Sequence, residues 1–359
     1  MHPADVIARR LRSHRLAAPA PTVADAAAHM LATQGQEFWG GRWALAARTA
    51  GNPSVRDVDA AFDRGEIVRS WTMRGTIHIV PARDLGTVLS VTGDRQFRSA
   101  AATHRREGLD AREFARAERI ALGALAGGGR LSRRELFEVL EQGGVSTAGQ
   151  RGYHVLVGLS VRGLVCQGPV VPREGGPTRE QYIVRTDEWL SDVATPADPL
   201  AEMFARFIAS HGPAGARDFA WWSGLPLGQA RLAAAAAADR LELVDETPEP
   251  VWIAAGSAPR RSATASAVLA LPPFEEYFIS YADRTVPCAP EFLRAVGPGL
   301  NGIVRPIIVA DGTIVGVWAH SLAVGRHAND PVPELFVPGV VPDEEVAAAL
   351  DRYRTFITA

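Results

Sequence analysis

One pattern limits what this chain can fold into: two short helical periods followed by a β-hairpin, repeated about three times along 359 residues. In the first repeat Val23, Ala27, Met30 and Leu31 fall at helical spacing, as do the apolar positions from Val55 to Phe62. The runs EIVRSWT (66–72) and TIHIV (76–80) then read as paired strands, with Met73, Arg74 and Gly75 as the turn. In the second, Ser132 and Glu135 form a capping box, a helix spans Gln150 to Arg162 and stops at Gly163, and LVCQG and QYIVR are strands joined by the long loop PVVPREGGPTRE. The third runs from Pro199 through Met203, Phe204, Phe207 and Ile208, then ARDFAWWSGLP, the alanine-rich helix Leu227 to Ala238, and a wing of LELVDE and VWIAA. Helix, helix and long-tipped hairpin is a winged-helix pattern.

Between the first two repeats, Phe114, Ala117, Ile120 and Ala124 predict a linking helix over 111–125. From about Ser262 short apolar runs, IVRPIIVA and TIVGVWAH, flank Asp311 and Gly312, a hairpin within a smaller mixed β region. The expected class is α+β, mainly α, with units at 1–100, 101–195, 196–260 and 261–359.

Charge is the next constraint. A net charge of −2 does not favour a nucleic-acid partner, yet residues 64–134 hold fourteen arginines against seven acids. Such asymmetry predicts one basic surface, unless these arginines are solvated and paired on helix faces. All 38 basic residues are arginine, a side chain suited to bidentate phosphate contacts. Cys166 and Cys288 lie far apart without ligand-spaced companions, which predicts buried thiols and no metal or cofactor. The N-terminal run has no continuous apolar segment and no stretch is long enough to span a bilayer, so a cytoplasmic protein is expected; it is read as a monomer, nucleoid-associated if its basic surface meets DNA.

The familiar catalytic signatures are absent: no P-loop, no dinucleotide fingerprint, no HExxH, no nucleophile elbow. Glu275, Glu276 and Asp283 in LPPFEEYFISYADR offer paired acids of the kind a glycoside hydrolase needs, but adjacent glutamates usually point apart. The segment TQGQEFWGGRWALAART (33–49) has two glutamines around one residue, a pattern that by itself also fits solvated or capping side chains. If this stretch is helical, Glu37 points about 100° away from Gln36, making it a minor candidate base. Trp39 and Trp43 are read as core, with stacking on a base as the alternative.

TQGQ at 33–36, VRSWTMRGTIHIVPARDL at 68–85, RDFAWWSGLPL at 217–227, LPPFEEYFISYADR at 271–284 and DGTIVGVWAH at 311–320 together resemble the AlkZ/YcaQ family of winged-helix DNA glycosylases. The resemblance runs over nearly the whole chain. It implies tandem winged helices curled into a C shape around double-stranded DNA, and excision of N-alkylated purines, including bulky and crosslinking adducts. The family's Gln-x-Gln active-site motif falls on Gln34, Gly35 and Gln36. Its central position is commonly larger and apolar, so Gly35 predicts a looser placement of the two amides.

The chemistry fits that implication. A purine alkylated at N7 or N3 is cationic and leaves readily, so two amides that orient a water near C1′ suffice without a strong base. With no lysine in the chain, a lysine Schiff-base lyase step is excluded, and a monofunctional enzyme is expected. Candidate DNA contacts are Arg69, Arg74, Thr76 and His78 on the first hairpin, which could instead support the glutamines or satisfy local carbonyls, Arg133, Arg134, Arg151 and His154 in the second repeat, and Arg173 and Arg179 on the long wing, with solvated loop charge as the alternative. The rival reading is a DNA-binding regulator without activity. A purely structural or interaction role is a weaker third.

Overall fold

The computed structural model describes residues 1–246, 248–257, 268–299, 302–323 and 326–359. The start of the C-terminal region expected near Ser262 lies outside them. The chain divides into two compact units, one formed by 1–58, 173–177 and 200–359, the other by 59–172 and 178–199.

The second unit is built on the first expected hairpin. Strand Ile67–Met73 pairs antiparallel with Thr76–Pro81, and the turn is a tight one in which Arg74 and Gly75 both have positive φ, 54° and 72°. Met73 therefore belongs to the strand rather than to the turn. Ile67–Met73 also pairs with Val165–Val170, which pairs with Gln181–Arg185, and this in turn pairs with the short strand Arg130–Leu131. Helix Arg133–Gln142 opens with both halves of the Ser132–Glu135 capping box, and Gly163 follows helix Arg151–Val161 at φ 71°. The linking helix spans Ala111–Ala124. Its Phe114, Ala117 and Ala121 share one core with Leu136, Leu140, Val155, Leu159, Trp71 and Ile183, so the apolar period of each element faces the same interior.

The first unit carries two further sheets. The LELVDE and VWIAA runs form strands Leu241–Asp245 and Val251–Ala254 of a three-stranded sheet completed by Ala214–Gly215, and the same stretch holds helices Pro199–His211, Ala216–Ser223 and Leu227–Ala236. The other sheet runs Leu269–Leu271, Ile307–Ala310, Thr313–Ala319, Val332–Leu335, its central hairpin turning at Asp311 and Gly312 with φ 48° and 78°. The expected mixed β region closes with a 16-residue helix, Asp343–Thr358, which the sequence reading did not separate from the strands before it. Its Tyr353 is fully buried against Trp39, Trp43 and Trp318. Trp43 Nε1 donates to Ala270 O at 2.8 Å and Trp318 Nε1 to Leu271 O at 2.9 Å, satisfying the polar tips that burial would otherwise leave bare. Both tryptophans after the glutamines thus pack into the protein.

Helix Leu85–Ser99 approaches the end of Arg151–Val161 at Gly93, where a Cβ would stand 2.3 Å from the backbone oxygen of Val161. That atom cannot rotate away. Gly93→Ala is expected to destabilise the protein by about 1–3 kcal/mol through overpacking, read as a lower urea midpoint at unchanged m. An unaltered midpoint would show that the two helices separate without cost.

Candidate active site

The glutamine motif sits on a bend that the preceding helix cannot make without strain. Helix Val23–Met30 ends at Leu31, whose φ of 63° and ψ of −50° are rarely adopted by a branched residue. The Ala32 N–H donates to Met30 O at 2.7 Å across it, closing a three-residue γ-turn. Such a conformation costs on the order of 1–3 kcal/mol and persists only where its surroundings fix it. Leu31 is buried, and it turns the chain into the two-residue strand Thr33–Gln34.

The motif itself is not helical. Helix Phe38–Ala47 begins after it with Glu37 as an extended N-cap residue, so the helical geometry expected between Gln36 and Glu37 does not hold. The two glutamines differ in kind. Gln34 is 5% exposed, whereas Gln36 faces solvent. The Gln36 N–H donates to Gln34 Oε1 at 3.1 Å, so the Gln34 amide folds back over the buried Gly35 and its orientation is set. The looseness expected from Gly35 is opposed by this bracket.

Beneath the motif lies a polar cluster in an apolar setting. The Gln34 N–H donates to Glu276 Oε1 at 2.7 Å, and Glu276 Oε2 accepts from Ser280 Oγ at 2.5 Å. His211 Nε2 stands 3.7 Å from the same oxygen. His211 is held by a 2.8 Å hydrogen bond between Nδ1 and Ser210 Oγ and by stacking on Phe207. Glu275, the neighbour in sequence, points elsewhere and forms a fully buried ion pair with Arg48. Arg48 also donates to Ala44 O at 3.0 Å. His14 reaches Tyr281 Oη at 2.7 Å, and that hydroxyl donates to His211 O at 2.7 Å. Burial holds His14 well below its ordinary value. A protonated His211 and the Arg48 guanidinium would each oppose its charging further. His211 is likewise lowered by burial, against the pull of Glu276. Both are neutral near pH 7.

The sequence reading named Glu275 and Glu276 only as a pair of acids for another chemistry, and did not name His211. A signal was present: two carboxylates inside the apolar run PPFEEYF must each find a partner indoors. Their division between Arg48 and the Gln34 main chain is a tertiary fact.

The expected DNA contacts have distinct settings. Arg69 is buried, with Nη1 donating to Gln167 Oε1 at 2.8 Å, and His78 is fully buried with Nδ1 2.9 Å from Thr72 Oγ1. Arg74 is half-buried at the hairpin tip, and Thr76 Oγ1 donates to Met73 O at 3.1 Å. Arg133 and Arg134 are exposed at a helix start, Arg134 pairing with Glu138 at 2.5 Å. Arg151 is drawn inward, bonding Ser146 O, Glu107 O and the Glu113 carboxylate. His154 packs edge-on against Tyr153 and His104. On the long loop Arg173 donates to Pro177 O at 3.2 Å, and Arg179 is exposed. Cys166 and Cys288 are buried thiols, pushed up to about 12 and about 11 by desolvation. No helix among the described residues is long and apolar enough to cross a membrane.

Comparison with known proteins defines the class. Residues 27–356 match the family described as DNA glycosylase AlkZ-like, and the chain belongs to it. It is therefore a DNA glycosylase, a hydrolase of N-glycosyl bonds, and the enzyme reading prevails over the inactive regulator. Among individual relatives, an interstrand DNA cross-link repair glycosylase of Streptomyces sahachiroi is 24% identical over 316 residues, covering 83% of this chain and 82% of its own. The solved structure of Streptomyces sahachiroi DNA glycosylase AlkZ superposes with a TM-score of 0.78 at 23% identity, covering 98% of this chain and 96% of that one. That likeness is one of fold.

The buried histidines make stability depend on pH. Burial also takes His29 from 6.5 down to about 4. Because the unfolded chain takes up protons near pH 6.5 and the native state does not, stability is full above that range and declines as pH falls through it towards 4. The thermal midpoint is expected to be several degrees lower at pH 5 than at pH 7.5. A flat or rising profile would show that these rings protonate in place.

Proposed function

We propose that the enzyme hydrolyses the N-glycosidic bond of N-alkylated purines in double-stranded DNA, N7-alkylguanine first among them, and leaves an abasic site. Bulky adducts and interstrand crosslinks belong to the same class, the crosslink activity being suggested by the name of the Streptomyces sahachiroi relative. The observation that carries the reading is the folded Gln34–Gly35–Gln36 bracket, in which the buried Gln34 amide oxygen accepts the main-chain N–H of the exposed Gln36.

An alkylated purine carries its own positive charge, so bond cleavage needs little help at the leaving group. What remains is to place a water beneath C1′ as the sugar becomes an oxocarbenium ion. Two amides supply acceptors and donors for that water without titrating, and such positioning contributes several kcal/mol by proximity and orientation. Gln34, whose amide is fixed by its own turn, sets the direction, and Gln36 completes the cradle. An unmodified purine lacks the activated leaving group and is spared by the same mechanism.

DNA is held, in this reading, by tandem winged-helix units. Arg74, Arg133, Arg134 and Arg179 are the arginines for phosphates. Arg69, Thr76 and His78 support the first hairpin, Arg151 and His154 the second recognition helix, and Arg173 the wing.

Duplex DNA carrying N7-methylguanine, a bulky adduct or a crosslink, treated with enzyme and then hot alkali, is expected to break at the lesion. Gln34→Ala and Gln36→Ala should each lose about a hundredfold or more in single-turnover rate while DNA affinity stays within about twofold. Wild-type activity in both variants would move the chemistry elsewhere. Affinity should also fall steeply with salt, by about one log unit of binding constant per log unit of salt for each phosphate neutralised.

A further inference from the structure

We propose that Glu276 is the positioning residue of this active site: by accepting the Gln34 N–H it holds the strained turn in the conformation that aims both glutamines at one water. The proposal rests on the reading of Gln34 and Gln36 as the water-binding pair. Three observations lead to it.

The chain reaching the motif is strained at Leu31 and buried through Gly35, so it stays bent only while something at its far side grips it. Glu276 Oε1 is an acceptor at the right place, 2.7 Å from the Gln34 nitrogen, and a buried main-chain N–H that lost it would be left without a partner. The carboxylate is itself aimed from behind by the Ser280 hydroxyl on Oε2, beside the His211 ring, which stacks on Phe207 with Nε2 3.7 Å from that oxygen.

Glu276 is 1% exposed, so it does not touch substrate and is not the general base. Its effect passes through the main chain of Gln34 to the amide that folds back over Gly35. Glu275 is the natural contrast. It is equally buried, yet it serves Arg48 and has no bond to the motif.

The test uses the full chain and a duplex containing N7-methylguanine, with single-turnover rate, DNA affinity and thermal midpoint measured for wild type, Q34A, E276Q, E276A and the double variant Q34A/E276A. E276A is expected to slow excision by about tenfold to a hundredfold with affinity within about twofold. E276Q keeps an amide oxygen for the Gln34 N–H and should retain the rate to within about threefold. The double variant should be no slower than Q34A, because residues acting through one another are not additive. Should E276A not fold, Ser280→Ala, which loosens the carboxylate without removing it, is expected to slow excision by about threefold at unchanged affinity. E276Q as slow as E276A, additive losses in the double variant, or a wild-type rate in S280A would each overturn the proposal. Q34A as fast as wild type would instead overturn the glutamine reading. A slow Q34A beside a fully active E276A removes Glu276 alone.

Discussion

The buried ion pair between Arg48 and Glu275 is the contact on which the first unit depends. Taking two charges wholly out of water is costly, and the arrangement is tolerable only because each is oriented by further partners: Ala44 O for the guanidinium, the Tyr277 N–H for the carboxylate. The pair ties the end of helix Phe38–Ala47 to the start of the short helix Glu276–Ile279. That helix begins one residue later, with Glu276, and a bond to the motif runs from its first side chain. Loss of either charge would leave the other stranded in a low-dielectric interior and release the carboxylate next to it. The glutamine motif is thus anchored by electrostatics that solvent never sees.

Around this anchor burial keeps His14 and His211 neutral. His14 sits edge-on to His211 and Tyr277 and touches Tyr281, with the Arg10 guanidinium stacked over the Tyr281 ring. A protonated imidazole there would meet Arg48 and Arg10 across a dry interior, so the cluster works as a set of hydrogen-bonding rings rather than as ions. The glutamines above it are non-ionisable. A motif assembled this way depends on shape, and its acid sensitivity comes from the histidines beneath it rather than from the glutamines.

Much of the fold was legible because periodicity and capping are local. Ser132 and Glu135, Gly163, Arg74–Gly75 and Asp311–Gly312 each mark a boundary through chemistry that needs no distant partner. The final helix escaped notice because Asp343 to Thr358 follows a region whose short apolar runs read as strands, and its burial is decided by Trp43 and Trp318 far away in sequence. The glutamine motif was visible as a resemblance, but its geometry was not. Whether Gln36 continues a helix depends on the γ-turn at Leu31 and on Glu276, neither of which leaves a mark within the motif. The arginine-rich stretch was legible only as charge. Arg69 and Arg151, equal to their neighbours in composition, are distinguished by Gln167 and by Glu113, which folding brings to them.

Two adjacent glutamates with opposite obligations have a consequence for how the segment can vary. Glu275 must reach Arg48 and Glu276 must reach Gln34, so the two are read in phase, like letters of a frame. A substitution elsewhere in PPFEEYF alters one contact. An inserted or deleted residue shifts the frame, turning the ion pair and the motif anchor to the wrong sides together. Length, more than composition, is what this stretch must conserve in descent.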